Sequence, residues 1–118
     1  MSLVARHLEQ TGLPTVIIGS ALDIVEHCGV PRYVFTDFPL GNPCGHPWQR
    51  DMQRSVVTMA LELLEHATAP RTTAAAPFTW WDSDNWRARY NRVTPENRAQ
   101  LLALGEERRN KQAQAKAR

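Results

Sequence analysis

Between Thr36 and Trp48 the chain gathers the groups best suited to chemistry. Asp37, Cys44 and His46 surround the run Phe38-Pro39-Leu40-Gly41-Asn42-Pro43, and Gly45 and Pro47 close the stretch. Cys44 lies ahead of a helical pattern and two residues from His46; a helix N-terminus and an imidazolium both stabilise a thiolate. The other reading of Cys44 is a small residue filling a tight loop. Asp37 and His46 can act as an acid/base pair if the loop folds back, or Asp37 can cap the turn that follows it. Gly41, Asn42 and Gly45 offer backbone N–H groups to a carboxylate or phosphate, with Pro39 and Leu40 shaping the wall, or else serve the loop's conformation alone. The loop matches neither the phosphate-binding pattern nor the dinucleotide fingerprint. No Ser/His/Asp set and no metal-ligand spacing stands out, so the sequence identifies no cofactor and no metal site.

The flanking elements place this loop where open α/β proteins hold ligands: a strand before it, a helix after it. Residues 30–36 carry the strand, with Tyr33-Val34-Phe35 at its centre and Pro31 tolerable at its start. Residues 48–67 carry a long helix opened by Pro47, in which Trp48, Met52, Val56, Met59, Ala60, Leu63 and Leu64 repeat at helical period. Core packing is the expectation for Trp48 and the methionines. Upstream, residues 2–11 fit a short helix with Ser2 as cap, a stripe of Leu3, Val4, His7 and Leu8, and Gly12 as stop. Residues 13–19 hold a continuous β-branched run, as in a parallel strand covered on both faces. Ser20 offers a cap to a helix with Leu22, Ile24 and Val25 inward and Gly29 as stop. The predicted fold is α/β: a small parallel βαβ sheet, a long helix after the Pro/Gly loop, and a helical, Trp-rich C-terminal arm. Two strands alone do not make a stable sheet, so a third is hidden in the irregular parts or another chain supplies it.

The predicted organisation is an α/β domain over 1–67, a small-residue linker over 68–77, an aromatic, helical arm over 78–104 and a basic, frayed tail over 105–118. In the arm, Ser83 or Asp82 caps a short helix with Trp86, Tyr90 and Val93 in one stripe, and Thr94-Pro95-Glu96 starts a last helix. Trp80, Trp81, Trp86 and Tyr90 supply large interface-type side chains. They either fold back over their own sheet or dock on a second subunit; the Trp80–Trp81 pair can also face a ligand.

The 118 residues bound the chain to one modest core. No apolar run approaches a membrane span, and residues 1–7 lack a secretion layout, so the expectation is a cytoplasmic protein without membrane contact. Two cysteines are too few for a disulfide framework. The net charge of +2 divides into about +3 on the tail and −1 on the rest. No aromatics interleave the tail's charges, which argues against a nucleic-acid arm.

Several runs resemble one family. Ala5-Arg6 with Glu9, Gly12-Leu13-Pro14-Thr15-Val16, Pro31-Arg32 and above all Phe38-Pro39-Leu40-Gly41-Asn42-Pro43 look like the C-terminal part of the glycine/sarcosine/betaine/D-proline reductase family, its selenoprotein B subunits. The resemblance covers residues 5–66. It implies an α/β fold and membership of a multi-subunit reductase that cleaves a carbon–heteroatom bond of a small-molecule substrate with a selenocysteine or cysteine. The family's redox residue lies upstream of the part matched here, and Cys44 does not correspond to it. The implied partner is therefore a larger subunit carrying the redox-active Cys or selenocysteine, facing a pocket wall made by residues 39–45. The rival expectation is a non-catalytic interaction module whose aromatic arm clamps a partner.

Overall fold

The computed structural model describes residues 1–81, 85–90 and 92–116. Its elements are α1 (Ser2–Gln10), β1 (Ile17–Gly19), α2 (Leu22–His27), β2 (Arg32–Phe35), α3 (Arg50–His66), β3 (Thr72–Ala75), α4 (Asn85–Arg89) and α5 (Pro95–Lys116). Two compact units divide the chain, Met1–Asp84 and Asn85–Arg118. The fold is α/β, with a three-stranded parallel sheet in the order β1-β2-β3.

Strand alternation assigns the two faces of the sheet. Ile17, Tyr33 and Thr73 are in register and share one face. There Tyr33 packs with Val25 of α2 and with Val30, and Ile17 and Phe35 border that cluster. Ile18, Val34 and Ala74 share the other face, on which α3 packs against β2 with Val56 and Ala60 buried. Val34 and Val56 are fully buried. Cover on both sides of β2 explains why residues 30–36 read as a continuous apolar run; of the strand expected over 13–19 only Ile17–Gly19 forms, as a half-buried edge strand, and Leu13 is exposed.

At the amino ends of the strands a polar knot ties three segments. One Glu9 oxygen accepts hydrogen bonds from the Thr15 backbone N–H, the Thr15 hydroxyl at 3.0 Å and Arg32 Nη1 at 2.8 Å. This joins α1, the approach to β1 and the start of β2. Gly12, at φ +87°, lets the chain turn back from α1 toward that knot, with Gly12 and Leu13 N–H groups closing on the carbonyls of Glu9 and Leu8. Glu9, Gly12, Thr15 and Arg32 all belong to the runs that carry the family resemblance.

The structure corrects several expectations. Residues 68–77 are not a featureless linker: β3 lies within them and supplies the missing third strand. Thr72-Thr73-Ala74-Ala75 carries no apolar alternation, and its strand state comes from the ladder to β2 rather than from its own pattern. Ser20 does not cap α2, whose N-cap is Ala21; its hydroxyl lies 3.4 Å from that of Thr36. On α2 only Val25 turns inward, while Leu22 and Ile24 are exposed, as are Leu3 and Val4 of α1. The helix after the loop begins at Arg50, because Trp48 takes φ +68°, a left-handed conformation that no helix continues through. Trp48 is accordingly 93% exposed instead of core. The division drawn between 104 and 105 is no break in the last helix: α5 runs through Gly105 to Lys116. Its start is as expected, with Thr94 and Asn97 exchanging capping hydrogen bonds. The proposed caps Asp82 and Ser83 lie outside the described residues.

Two outcomes test this packing. Glu9→Ala leaves Arg32 and the Thr15 amide without their shared acceptor and is expected to cost about 2 kcal/mol in urea unfolding; an unchanged midpoint would show the knot to be dispensable. Burial first, then the carboxylates of Glu26 and Asp23, push the Tyr33 phenol up to about 12 from its usual 10.0. Its hydroxyl also donates to the Gly19 carbonyl at 2.9 Å. The unfolded chain therefore ionises first, and stability held below pH 10.0 is lost as pH climbs toward about 12. Tyr33→Phe should flatten that decline in denaturation midpoints; parallel curves for the two proteins would contradict it.

Candidate functional site

All three strands end on the side from which the 37–49 loop departs. Thr36, fully buried, seals the sheet there. Its N–H donates to the Gly19 carbonyl at 2.9 Å and its hydroxyl to the same oxygen at 3.3 Å. The N–H of Ala76 reaches the Phe35 carbonyl at 2.8 Å and carries the pairing one residue past β3. This anchors the two segments that build the site, the loop after β2 and the run after β3.

Phe38 and Pro39 bury themselves and start the loop. Two turns follow: the Asn42 N–H donates to the Pro39 carbonyl at 3.1 Å, and the Gly45 N–H to the Asn42 carbonyl at 3.1 Å. Those two amides are thus engaged inside the loop; of the donors named from sequence, the Gly41 amide and the Asn42 side chain are not among the hydrogen bonds of the described residues. Leu40 and Gly41 stand exposed at the tip, while Asn42, Pro43 and Cys44 are half-buried. Gly45 is buried at φ +100°, and a Cβ there would come within 2.5 Å of Met52 Sδ. Only glycine meets both demands.

His46 is the hinge between the two segments. Its ring stacks on Trp80 with centroids 3.7 Å apart and planes 20° from parallel. Its Nε2 faces the Trp80 carbonyl. A carbonyl only accepts, so Nε2 carries the proton and Nδ1 is the nitrogen with a lone pair to offer. The His46 carbonyl in turn accepts from Gln53 Nε2 at 2.7 Å, fastening the loop to the first turn of α3. Phe38 packs tilted against Trp80 at 5.5 Å, and Trp81 meets Trp80 edge-on at 6.0 Å. Between them opens a cleft of about 470 Å³, lined by His46, Gln49, Met52, Thr79, Trp80 and Trp81. It offers a stacking surface and several hydrogen-bonding groups; none of these six residues is a thiol.

The structure thus brings together His46, Trp80 and Trp81 of the residues singled out from sequence; Pro39, Leu40, Gly41, Asn42 and Gly45 are not among the residues that line the cleft. Asp37 sits half-buried directly after Thr36. Cys44 is a free thiol, but α3 starts at Arg50, so the helix N-terminus that would favour its thiolate does not begin beside it. Trp86 and Tyr90 belong to the second unit, where their rings meet edge-on at 6.0 Å and the Arg87 guanidinium lies 5.0 Å from the Trp86 centroid. Gln49, Met52 and Thr79 were missed as site residues. Met52 fits the core stripe of a helix equally well, and nothing in the sequence marks Gln49 or Thr79.

The chain is 30% identical over 78 residues to the D-proline reductase subunit gamma of Acetoanaerobium sticklandii. That similarity supports a relationship to the reductase family. The match takes in 66% of this chain and 32% of the relative, so the chain spans about a third of the length of the relative it matches. No family model and no solved structure matches the chain. No helix among the described residues is long and apolar enough to cross a membrane.

Two substitutions probe the loop. Gly45→Ala is expected to cost about 1–3 kcal/mol by thermal or urea unfolding, since an alanine must hold a left-handed φ in a filled space. Trp48→Asn should leave the isolated chain's stability within about 0.5 kcal/mol, because Asn accepts positive φ and no burial is lost. A loss of about 3–5 kcal/mol would instead be the mark of a core tryptophan.

Proposed function

We propose that this protein is the small, selenoprotein B-like subunit of a two-component cytoplasmic reductase or lyase. The enzyme cleaves a carbon–heteroatom bond of a small anionic substrate, with the attacking thiol or selenol on a larger partner chain. One arrangement supports the reading: an aromatic-walled cleft at the carboxyl ends of a parallel sheet, with hydrogen-bonding groups and no thiol among the residues that line it, in a chain similar to a D-proline reductase subunit.

In this reading the loop at 39–45, which supplies none of the six residues lining that cleft, walls the pocket on the side that the partner chain completes, and the Asn42 side chain with the Gly41 amide holds the anionic group. The partner's thiolate or selenolate attacks the substrate carbon, and the heteroatom leaves with the bonding pair and takes up a proton. A second thiol of the partner then closes a disulfide or selenenylsulfide, the carbon being reduced and protonated. His46 Nδ1 is suited to the proton transfer because Nε2 is engaged by the Trp80 carbonyl; Asp37 and Cys44 are the other titratable groups of the same loop. A purely structural, partner-clamping role draws support from α5, a helix of 22 residues none of which is buried.

The test uses the product of the neighbouring reading frame that carries a closely spaced Cys or selenocysteine pair, co-expressed with this chain. The complex is expected to reduce D-proline with a dithiol donor while neither chain does so alone. In it, Asn42→Ala should lower kcat/KM by about tenfold or more, the worth of one hydrogen bond to a charged group. An unchanged kcat/KM would remove Asn42 from the site, and a monodisperse, inactive monomer that binds no such chain would favour the clamping role.

A further inference from the structure

The outer edge of β3 is short but open, with Pro70, Arg71 and Pro77 lying just beyond its ends. Proteins protect exposed edges with lysine, proline, bulges or a covering segment; Thr72-Thr73-Ala74-Ala75 has no charge and no proline. The Thr72 N–H bonds the Pro31 carbonyl and the Ala76 N–H the Phe35 carbonyl. Parallel pairing alternates, so Thr73 and Ala75 turn both their N–H and C=O away from β2. Both residues are exposed. β3 is the last strand of the sheet among the described residues.

Beside this edge, on the α3 face, runs an open groove of about 540 Å³ lined by Met59, Leu63 and Ala74 and by the polar Glu62, His66 and Thr72 among others. That is where the inward side chains of a fourth strand would lie. On the α2 face the surroundings are polar: the Thr73 hydroxyl donates to Glu26 Oε1 at 2.9 Å, and Arg71 donates to the Glu26 carbonyl at 3.3 Å. An added strand thus meets Met59, Leu63 and Ala74 with polar groups among them on one side, and polar groups on the other.

We infer that β3 is the docking edge for the larger chain, which adds an amphipathic strand to this sheet. The inference rests on the reading above and names the surface through which its two chains join. The matched region makes up 32% of its relative. Such a subunit carries further polypeptide beside the shared part, and a three-stranded parallel sheet with an open, partly apolar groove at one edge offers it a place to join. The occupant is therefore the larger chain and not a second copy of this one.

Ala75→Pro removes an outward-facing donor and leaves the ladder to β2 intact, since proline is tolerated on edge strands with that orientation. Thr73→Lys adds an edge charge that Glu26 can still meet, and serves if the proline variant does not fold. With the co-expressed neighbouring chain as probe, each variant should bind at least about tenfold more weakly than the parent by titration calorimetry, at unchanged circular dichroism. Hydrogen exchange should show the Thr73 and Ala75 amides protected only in the parent complex. Undiminished binding by both folded variants overturns the edge assignment and leaves the two-component reading standing. Failure of the parent chain to bind overturns the two-component reading itself. Self-association that Ala75→Pro abolishes would make a second copy the occupant and contradict the inference.

Discussion

The stack of His46 on Trp80 is the contact on which the site depends. It joins two segments 34 residues apart in sequence, one leaving the central strand and one leaving the edge strand. Neither segment has regular structure of its own there. The loop is stiffened by Pro39, Pro43 and Pro47 and by turns at Asn42 and Gly45, but these fix only its internal shape. Its position relative to the sheet comes from Phe38 and Trp80, packed tilted at 5.5 Å, and from the ring of His46 lying flat on the same tryptophan. The bond from Nε2 to the Trp80 carbonyl sets the tautomer as well as the orientation, so one interaction both builds the wall and decides which nitrogen is basic.

The sheet imposes the second constraint. Parallel strands want cover on both faces, and α2 and α3 provide it for the central strand. Beyond that strand the cover thins: Leu22 and Ile24 of α2, Leu3 and Val4 of α1 and Leu61 of α3 all face solvent. Glu9, Thr15 and Arg32 hold the amino ends of the strands, and Thr36 with the Gly19 carbonyl holds the carboxyl ends. The unit is well tied along its centre and apolar around its margins.

Much of this was legible in the sequence, for physical reasons. Residues 30–36 showed their burial because Val, Tyr and Phe crowd them, and the β-branched run before Gly19 marked a strand, of which Ile17–Gly19 forms. The loop showed itself because proline and glycine have few conformational alternatives. What stayed hidden depended on tertiary context. Thr72-Thr73-Ala74-Ala75 is a strand because β2 offers it a ladder, and small residues carry no periodic signal. Trp48 fits the helical repeat as well as Met52 does, yet a left-handed backbone at Trp48 delays the helix and sends its ring into solvent. Trp80, Trp81 and His46 were each singled out, but their meeting was not legible, since it depends on the unseen third strand delivering residues 78–81 to the loop.

The central claim is that this chain supplies the wall of a site whose nucleophile is on another chain. The most direct measurement titrates it into a fixed amount of the larger, thiol- or selenol-bearing chain and follows D-proline reduction. The account predicts that turnover rises linearly and stops at a fixed ratio of the two chains. Turnover by the larger chain that is independent of added small chain would contradict it.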